Sequence, residues 1–190
     1  TGGAAAYYDG AYELLPASQN FVPPLVTPRP RIHGVQTGVV VGKEGNIDVD
    51  EYGRILVELH WNRSGPPQTE PLTMRCRVMQ SWAGQQWGTI FTPRNGMEVL
   101  VEFIDGDPDR PLVVGCVYNG DNKPPYDLPG GNNKNISGWK TRSTEGGGPD
   151  DFNEFVFDDT AGKEVVRLHA QKDLDVSVEN DEKRLVERNR

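Results

Sequence analysis

Apolar and polar side chains alternate in two stretches of the chain. Between Arg54 and Trp61 every second residue from Ile55 onward is apolar, and the stretch from Glu98 to Ile104 repeats this pattern. A period of two is typical of a strand with one buried face, because successive side chains point to opposite sides of a sheet. The pattern predicts a row of core residues formed by Ile55, Val57, Leu59, Val99, Val101 and Phe103.

Three further apolar runs lie beside these two within residues 31–122, at Gly34 to Val41, Met74 to Met79 and Leu112 to Val117. Strands this short and few make too thin a sandwich, but they can close into a small barrel, which leaves no exposed edge. The sequence therefore predicts an all-β fold with a five-stranded OB-type barrel at residues 31–122, which supplies the core row above.

A second series of short strands is predicted after residue 150, with centres near Val156, Arg167, Val176 and Leu185. Each contributes two or three apolar side chains to one narrow stripe. A thin meander of this kind is marginal in water, so several chains must cover one another's stripes. Residues 150–190 thus predict strand repeats of an intertwined β-helix or β-prism, with a core between chains formed by Phe155, Phe157, Val166, Leu168, Leu174, Val176 and Val178.

Two segments lack this periodicity. Residues 1–30 end in a proline-rich run from Pro23 to Pro30, which predicts an extended connector to a domain that would precede it. The chain begins at Thr1, so we expect a piece of a longer protein. Residues 123–149 are rich in Gly, Pro, Asn and Ser, which predicts a linker.

Composition and charge narrow the class of protein. Glycine and proline number 22 and 15, which favours turns and short strands over long helices. The formal net charge is −8, and an acidic chain gains nothing from counterion release, which disfavours nucleic-acid binding. No apolar run is long enough to cross a bilayer and no secretory leader is present, so we expect a soluble chain.

Candidate chemistry is sparse. Counting an EF-hand loop from Asp105 places Arg110 and Cys116 where a glycine and a glutamate are needed, so the Asp105–Asp109 cluster predicts a hairpin turn. The three histidines lack zinc spacing, and no serine has a nucleophile-elbow motif. Cys76 and Cys116 are predicted to be buried free thiols, with a disulfide or a metal pair as alternatives. The sequence predicts no catalytic residue, metal or cofactor.

Two alternatives rest on exposed polar and aromatic residues. Glu98 and Glu102 project from one strand, as a glycosidase pair would, but no cleft accompanies them and a solvated strand face is favoured. The second alternative is an OB-fold module that binds single-stranded nucleic acid or oligosaccharide. It would use a stacking and charged surface formed by Trp61, Trp82, Trp87, Trp139, Arg54, Arg75, Arg77 and Arg94.

Several motifs, in a fixed order along the chain, resemble those of one protein family. They include DEYGRILVELHWNR, SWAGQQWGTIFTPRNGMEVLVEFIDGDPDRPLVVGCVYN, KPPYDLP, SGWKTRS and FDDTAGKEVVRLHAQKDLDVSVEND. In sequence and spacing these closely resemble the VgrG spike proteins of bacterial type VI secretion systems, and more distantly the central spike of contractile phage tails. The likeness covers nearly all of Thr27 to Asn180. One departure is Thr73 to Cys76, where the family usually has a Ser-Cys-Trp-like run.

The resemblance implies a homotrimer with the OB barrel at a neck and the C-terminal strands wound into a puncturing needle, so that the core between chains would be a trimer core. It also implies partners: Hcp-type tube rings, a PAAR-type tip and effectors, with transient contact to a target membrane. Such a protein would be assembled in the bacterial cytoplasm and then translocated into the medium or a target cell. Its role in this region would be structural, without catalysis.

Overall fold

The computed structural model describes residues 8–42, 47–62, 73–128 and 132–188. The start of the predicted connector and a short part of the predicted linker therefore lie outside the described residues. The strands, in chain order, are β1 Gln36–Val41, β2 Ile55–Leu59, β3 Met74–Val78, β4 Ala83–Gly84, β5 Trp87–Gly88, β6 Glu98–Phe103, β7 Pro111–Val117, β8 Ile136–Lys140, β9 Glu154–Asp158 and β10 Val165–His169.

Five strands form a closed barrel in the order β1-β2-β3-β7-β6. The pairs are antiparallel except for β3 with β7, which run parallel. Closure satisfies the backbone groups of every strand within the barrel and removes the free edges. The predicted all-β fold with a five-stranded barrel is confirmed.

The barrel core is a single buried cluster. All six residues of the predicted row lie in it, each at most 4% exposed. Three buried members, Val40, Cys76 and Val113, come from strands whose alternation is less regular. The other cysteine, Cys116, is free but exposed. The expectation that it is buried was wrong, because it lies next to the last residue of β7, where the chain leaves the barrel.

The acidic cluster reverses the chain between β6 and β7, as predicted. Asp105 and Gly106 both have positive φ, at 57° and 73°, within a short 3-10 turn over Ile104–Gly106. Aspartate and glycine tolerate this conformation better than most residues, which explains their presence here. The Asp105 carboxylate accepts a hydrogen bond from Arg110 at 3.3 Å.

A second sheet, in the order β10-β9-β8, lies after the barrel. Its strand β8 falls within residues 123–149, the stretch predicted as a linker, so Ile136–Lys140 of that stretch belong to a sheet. The segment has little strand character of its own, and it becomes a strand by pairing with β9 from Ile136 opposite Asp158 to Lys140 opposite Glu154.

The predicted strands near Val156 and Arg167 correspond to β9 and β10. Those predicted near Val176 and Leu185 are not found, since residues 170–188 contain no assigned strand. A strand forms only when a partner accepts and donates its backbone hydrogen bonds, and the described part of the chain pairs no strand with these residues.

Replacing Leu59 with alanine should lower the free energy of unfolding by about 2–5 kcal/mol, because the side chain is 4% exposed and the variant leaves a cavity in the barrel. The matched control is Leu25→Ala, whose side chain is fully exposed and whose loss should cost less than about 0.5 kcal/mol. Urea unfolding measures both. Equal losses would contradict the assignment of Leu59 to the core.

Gly138 in β8 generates a second prediction. Its φ is 146°, and a Cβ added there would lie 2.2 Å from the carbonyl oxygen of Phe155 on β9. Gly138→Ala should therefore destabilise the second sheet by about 1–3 kcal/mol through backbone strain. Gly120→Ala is the control, since a Cβ there meets nothing within 4 Å and its φ is ordinary. A thermal melt that shows no difference between the two variants would contradict the close approach of β8 to β9.

Candidate functional site: an apolar sheet face

The register of the second sheet gathers apolar residues on one face. Trp139 on β8 lies opposite Phe155 on β9, which lies opposite Leu168 on β10. In the next row on this face, Phe157 lies opposite Val166. Directly opposed residues in an antiparallel sheet share a face, so these five side chains form one surface, here called the apolar face.

The apolar face is not covered by the described part of the chain. Phe155 and Phe157 are 37% and 38% exposed, and Leu168 and Val166 are 61% and 62% exposed. The opposite side of β9 differs, since Val156 is only 1% exposed. A contiguous exposed apolar surface of this kind marks an interaction site more often than a solvated surface.

Aromatic contacts order the centre of the apolar face. The Trp139 ring stacks on Phe155, with centroids 6.1 Å apart and planes 7° apart. Phe157 meets Phe155 edge-on, with centroids 5.1 Å apart. These pairs hold the rings in a fixed arrangement while one side of each remains open, so a partner would meet a preformed surface.

The other three predicted core residues between chains lie beyond the sheet. Leu174, Val176 and Val178 are 62%, 61% and 47% exposed, and they follow β10 without forming a strand. The structure therefore brings four of the seven candidates onto one face and leaves three on an unpaired segment. All seven are open to a partner.

Trp139 was missed as a member of the apolar face because it lies in the stretch predicted as a linker. It was assigned instead to a possible stacking surface for single-stranded ligands. A large aromatic residue in a Gly-rich and Asn-rich stretch was the one signal that a packed strand lies there, since flexible linkers rarely contain one.

A polar cluster supports the opposite face of the sheet. The Glu154 side chain, 4% exposed, accepts hydrogen bonds from Arg167 at 3.2 Å and from the Tyr126 hydroxyl at 2.8 Å. Burial, together with the hydrogen bond to Glu154, raises the pKa of Tyr126 to about 12. Tyr126 precedes the sheet in the chain, so this cluster ties the segment that follows the barrel to β9 and β10.

The tryptophans of the alternative ligand surface do not meet in one place. Trp82 meets Trp87 edge-on within the β4–β5 hairpin, with ring centroids 4.9 Å apart. Trp61 stacks on Phe103 of the barrel, and Trp139 belongs to the apolar face. The four arginines of this surface also lie in separate places. Arg54, Arg75 and Arg77 line one small cavity, whereas Arg94 donates a hydrogen bond to the carbonyl oxygen of Arg142 at 2.8 Å. This distribution gives no specific support to a module that stacks bases or sugars.

Titratable side chains show no catalytic arrangement in the parts of the chain described here. Glu98 accepts a hydrogen bond from Asn119 at 2.6 Å, which explains one member of the suspected carboxylate pair as a structural contact. Within the described ranges no group of three or more His, Cys, Asp or Glu residues is placed to hold a metal ion. No helix in those ranges has the length and apolar character needed to span a membrane.

The barrel and all but the first residue of the second sheet lie within ranges that match known protein families. The family model of the type VI secretion system/phage-baseplate injector OB domain matches residues 36–118, which contain the whole barrel. The model of the bacteriophage T4 gp5 C-terminal trimerisation domain matches residues 137–190. That range contains the apolar face and the three exposed residues that follow it, which supports a homotrimer.

Individual relatives agree with these matches. The chain is 44% identical over 182 residues to the type VI secretion system spike protein VgrG1b of Pseudomonas aeruginosa, and 45% identical over 177 residues to VgrG5 of the same organism. It is 41% identical over 183 residues to the actin cross-linking toxin VgrG1 of Vibrio cholerae.

These alignments include 93–95% of the chain but only 24%, 22% and 16% of the respective relatives. The chain thus spans a quarter or less of their length. Over the barrel and the trimerisation segment, it is homologous to the VgrG spike proteins of the type VI secretion system.

Proposed function

We propose that this chain forms the neck and the beginning of the shaft of a homotrimeric type VI secretion spike. The observation that carries the proposal is the apolar face, which is exposed in one chain and lies in the range that matches a trimerisation domain. Three copies would turn these faces toward a common axis, and the segment around Val176 would continue the same interior.

Burial energy favours this assembly. Covering one large apolar side chain contributes about 2 kcal/mol, and each chain exposes five such residues on the apolar face and three more beyond it. Residues 170–188, which have no strand partner within one chain, would gain backbone hydrogen bonds from neighbouring copies. Assembly would therefore satisfy both the exposed side chains and the unpaired backbone.

The mechanical role follows from the same contacts. A shaft that pushes through a membrane must resist bending, and interlaced strands around a dry interior provide resistance through many parallel hydrogen bonds. The Tyr126–Glu154–Arg167 cluster would hold the start of this shaft to the segment that leaves the barrel. Such a role requires no catalysis in this region.

The wider assembly belongs to the same proposal. The chain would be built into the apparatus in the bacterial cytoplasm and then translocated into the medium or a target cell. Its partners would be an Hcp-type tube, a PAAR-type tip and effectors. The names of the relatives support a spike in type VI secretion and, for the Vibrio protein, an actin cross-linking toxin; that toxic activity is not proposed for this chain.

Val176→Asp should convert the trimer into monomers, because it would place three carboxylates together in the apolar interior around the axis. Multi-angle light scattering of the eluting protein measures the mass. Ser177→Asp is the matched control, since it adds the same charge at the neighbouring position on the other predicted row and should leave the trimer intact. A Val176→Asp protein that stayed trimeric would contradict this packing, as would a wild-type chain that eluted as a monomer.

The Tyr126 hydroxyl generates a pH prediction. Because its folded pKa of about 12 lies above the ordinary 10.0, the unfolded chain loses this proton first, and the stabilisation declines as pH rises from about 10 to about 12. Tyr126→Phe should be about 1 kcal/mol less stable than wild type near neutral pH, with the difference shrinking across that window. Urea unfolding at several pH values tests this. The control is Tyr52→Phe at an exposed tyrosine, which should change the free energy of unfolding near neutral pH by less than about 0.5 kcal/mol. If the difference in the free energy of unfolding between wild type and Tyr126→Phe stayed constant over this pH range, it would contradict the raised pKa of Tyr126.

A further inference from the structure

Four arginines converge on one cavity on the outside of the barrel. The cavity has a volume of about 250 Å³ and is lined by Arg54, Arg75, Arg77, Ile104, Asp109, Arg110 and Pro111. Its arginines come from three separate places in the chain. Arg75 and Arg77 are alternate residues of β3, Arg54 immediately precedes β2, and Arg110 immediately precedes β7. The barrel pairing of β2 with β3 and of β3 with β7 brings them together.

Two of the guanidinium groups are held in place by carboxylates of one loop. Arg54 Nε donates to Asp50 Oδ2 at 2.7 Å, and an Arg75 terminal nitrogen donates to Asp48 Oδ1 at 2.6 Å. Asp50 is itself fixed, since its other oxygen accepts the backbone N–H groups of Tyr52 and Arg54. Arg75 also donates to the carbonyl oxygen of Arg54 at 3.3 Å. The walls of the cavity are therefore built before any ligand arrives.

These bonds leave a surplus of donors. Among the described residues, Arg54 donates a side-chain hydrogen bond only through its Nε, and its guanidinium lies over the Tyr52 ring at 5.2 Å, so its two terminal nitrogens form no hydrogen bond there. Arg110 uses one terminal nitrogen on Asp105, whose carboxylate is 81% exposed. Arg77 lines the cavity and forms no hydrogen bond or ion pair with any residue that the structure describes, so its planar fork has no partner among them. Arg54, Arg75 and Arg110 are thus each paired with a carboxylate outside the cavity lining, whereas Arg77 has no such partner among the described residues and Asp109 is the one carboxylate in the lining.

We propose that this cavity, here called the arginine cavity, is a binding site for a single oxyanion group, a carboxylate or a phosphate, with Arg77 as its principal ligand. A guanidinium presents parallel N–H donors that match the two oxygens of such a group, and the bonds formed are charge-assisted. Arg54 and Arg110 contribute their free terminal nitrogens from the cavity walls. The site does not depend on the apolar face or on the proposed spike role.

The dimensions and charge of the cavity select for a compact ligand. A volume of about 250 Å³ accommodates one carboxylate or phosphate group with part of the molecule that bears it, and Asp109 disfavours a long polyanion along that wall. Arg94, the fourth arginine of the alternative ligand surface, lies elsewhere and donates to the carbonyl oxygen of Arg142, so it does not extend the cavity. The expected ligand therefore carries its negative charge on one group or on two adjacent ones.

Isothermal titration of the whole chain with pyrophosphate and, separately, with citrate tests the site. Both titrations are run at one ionic strength, set with sodium chloride, so that general screening is equal. We expect saturable binding of at least one of the two probes, with one site per chain. The probe that binds identifies the source of the oxyanion as phosphate or carboxylate.

Three variants locate the binding. Arg77→Gln should weaken it at least about ten-fold, since it removes a charge-assisted fork, and Arg77→Lys should recover only part of the affinity because an ammonium lacks the planar geometry. Arg142→Gln makes the same change in net charge away from the cavity and should bind like wild type. Arg77 has no bonds to lose, so circular dichroism should show each variant folded. Absence of saturable binding by either probe overturns the site, and so does equal weakening by Arg77→Gln and Arg142→Gln.

Discussion

Backbone hydrogen bonding among β8, β9 and β10 sets the register on which the functional part of this protein depends. Once Trp139 is opposite Phe155 and Phe155 is opposite Leu168, the apolar side chains of three strands lie on one face. Among the residues that the structure describes, no second layer covers that face of the three-stranded sheet. The cost of leaving it in water is then a driving force for association with copies that carry the same face.

The barrel, unlike the second sheet, buries its apolar side chains within one chain. Its five strands close on themselves, so that Ile55, Val99 and Val101 are completely buried without help from another chain. A self-sufficient barrel joined to an incomplete sheet suits a neck at the start of a shaft. In the proposed assembly, each chain would contain a closed barrel, and the sheet would be covered only when chains meet. The match of the two segments to an injector OB domain and to a trimerisation domain agrees with this division.

The second sheet and the barrel each carry a cluster of polar side chains. Behind the apolar face, the buried Glu154 carboxylate is satisfied by Arg167 and Tyr126, which avoids the cost of an unpaired buried charge. On the barrel, the arginine cavity has the reverse character, because its guanidinium groups outnumber the carboxylates that line it. The Glu154 cluster connects the segment after the barrel to the second sheet. The arginine cavity keeps N–H donors for the proposed ligand.

The sequence by itself determined the barrel and the apolar composition of the C-terminal stripe. Period-two alternation identifies Ile55, Val57 and Leu59 as core, because a strand with one buried face needs that spacing wherever it pairs. It also marks Phe155, Phe157, Val166 and Leu168 as apolar positions with no cover.

Only the tertiary structure decided which strands pair and in what register. Residues 136–140 form a strand because β9 is beside them, whereas residues around Val176 pair with no strand of the described ranges and form none. Arg110 and Arg77 line the same cavity because β3 and β7, distant in sequence, pair in parallel in the barrel. Local sequence encodes the preference of each segment, but pairing is settled by hydrogen-bond partners that folding brings from elsewhere in the chain.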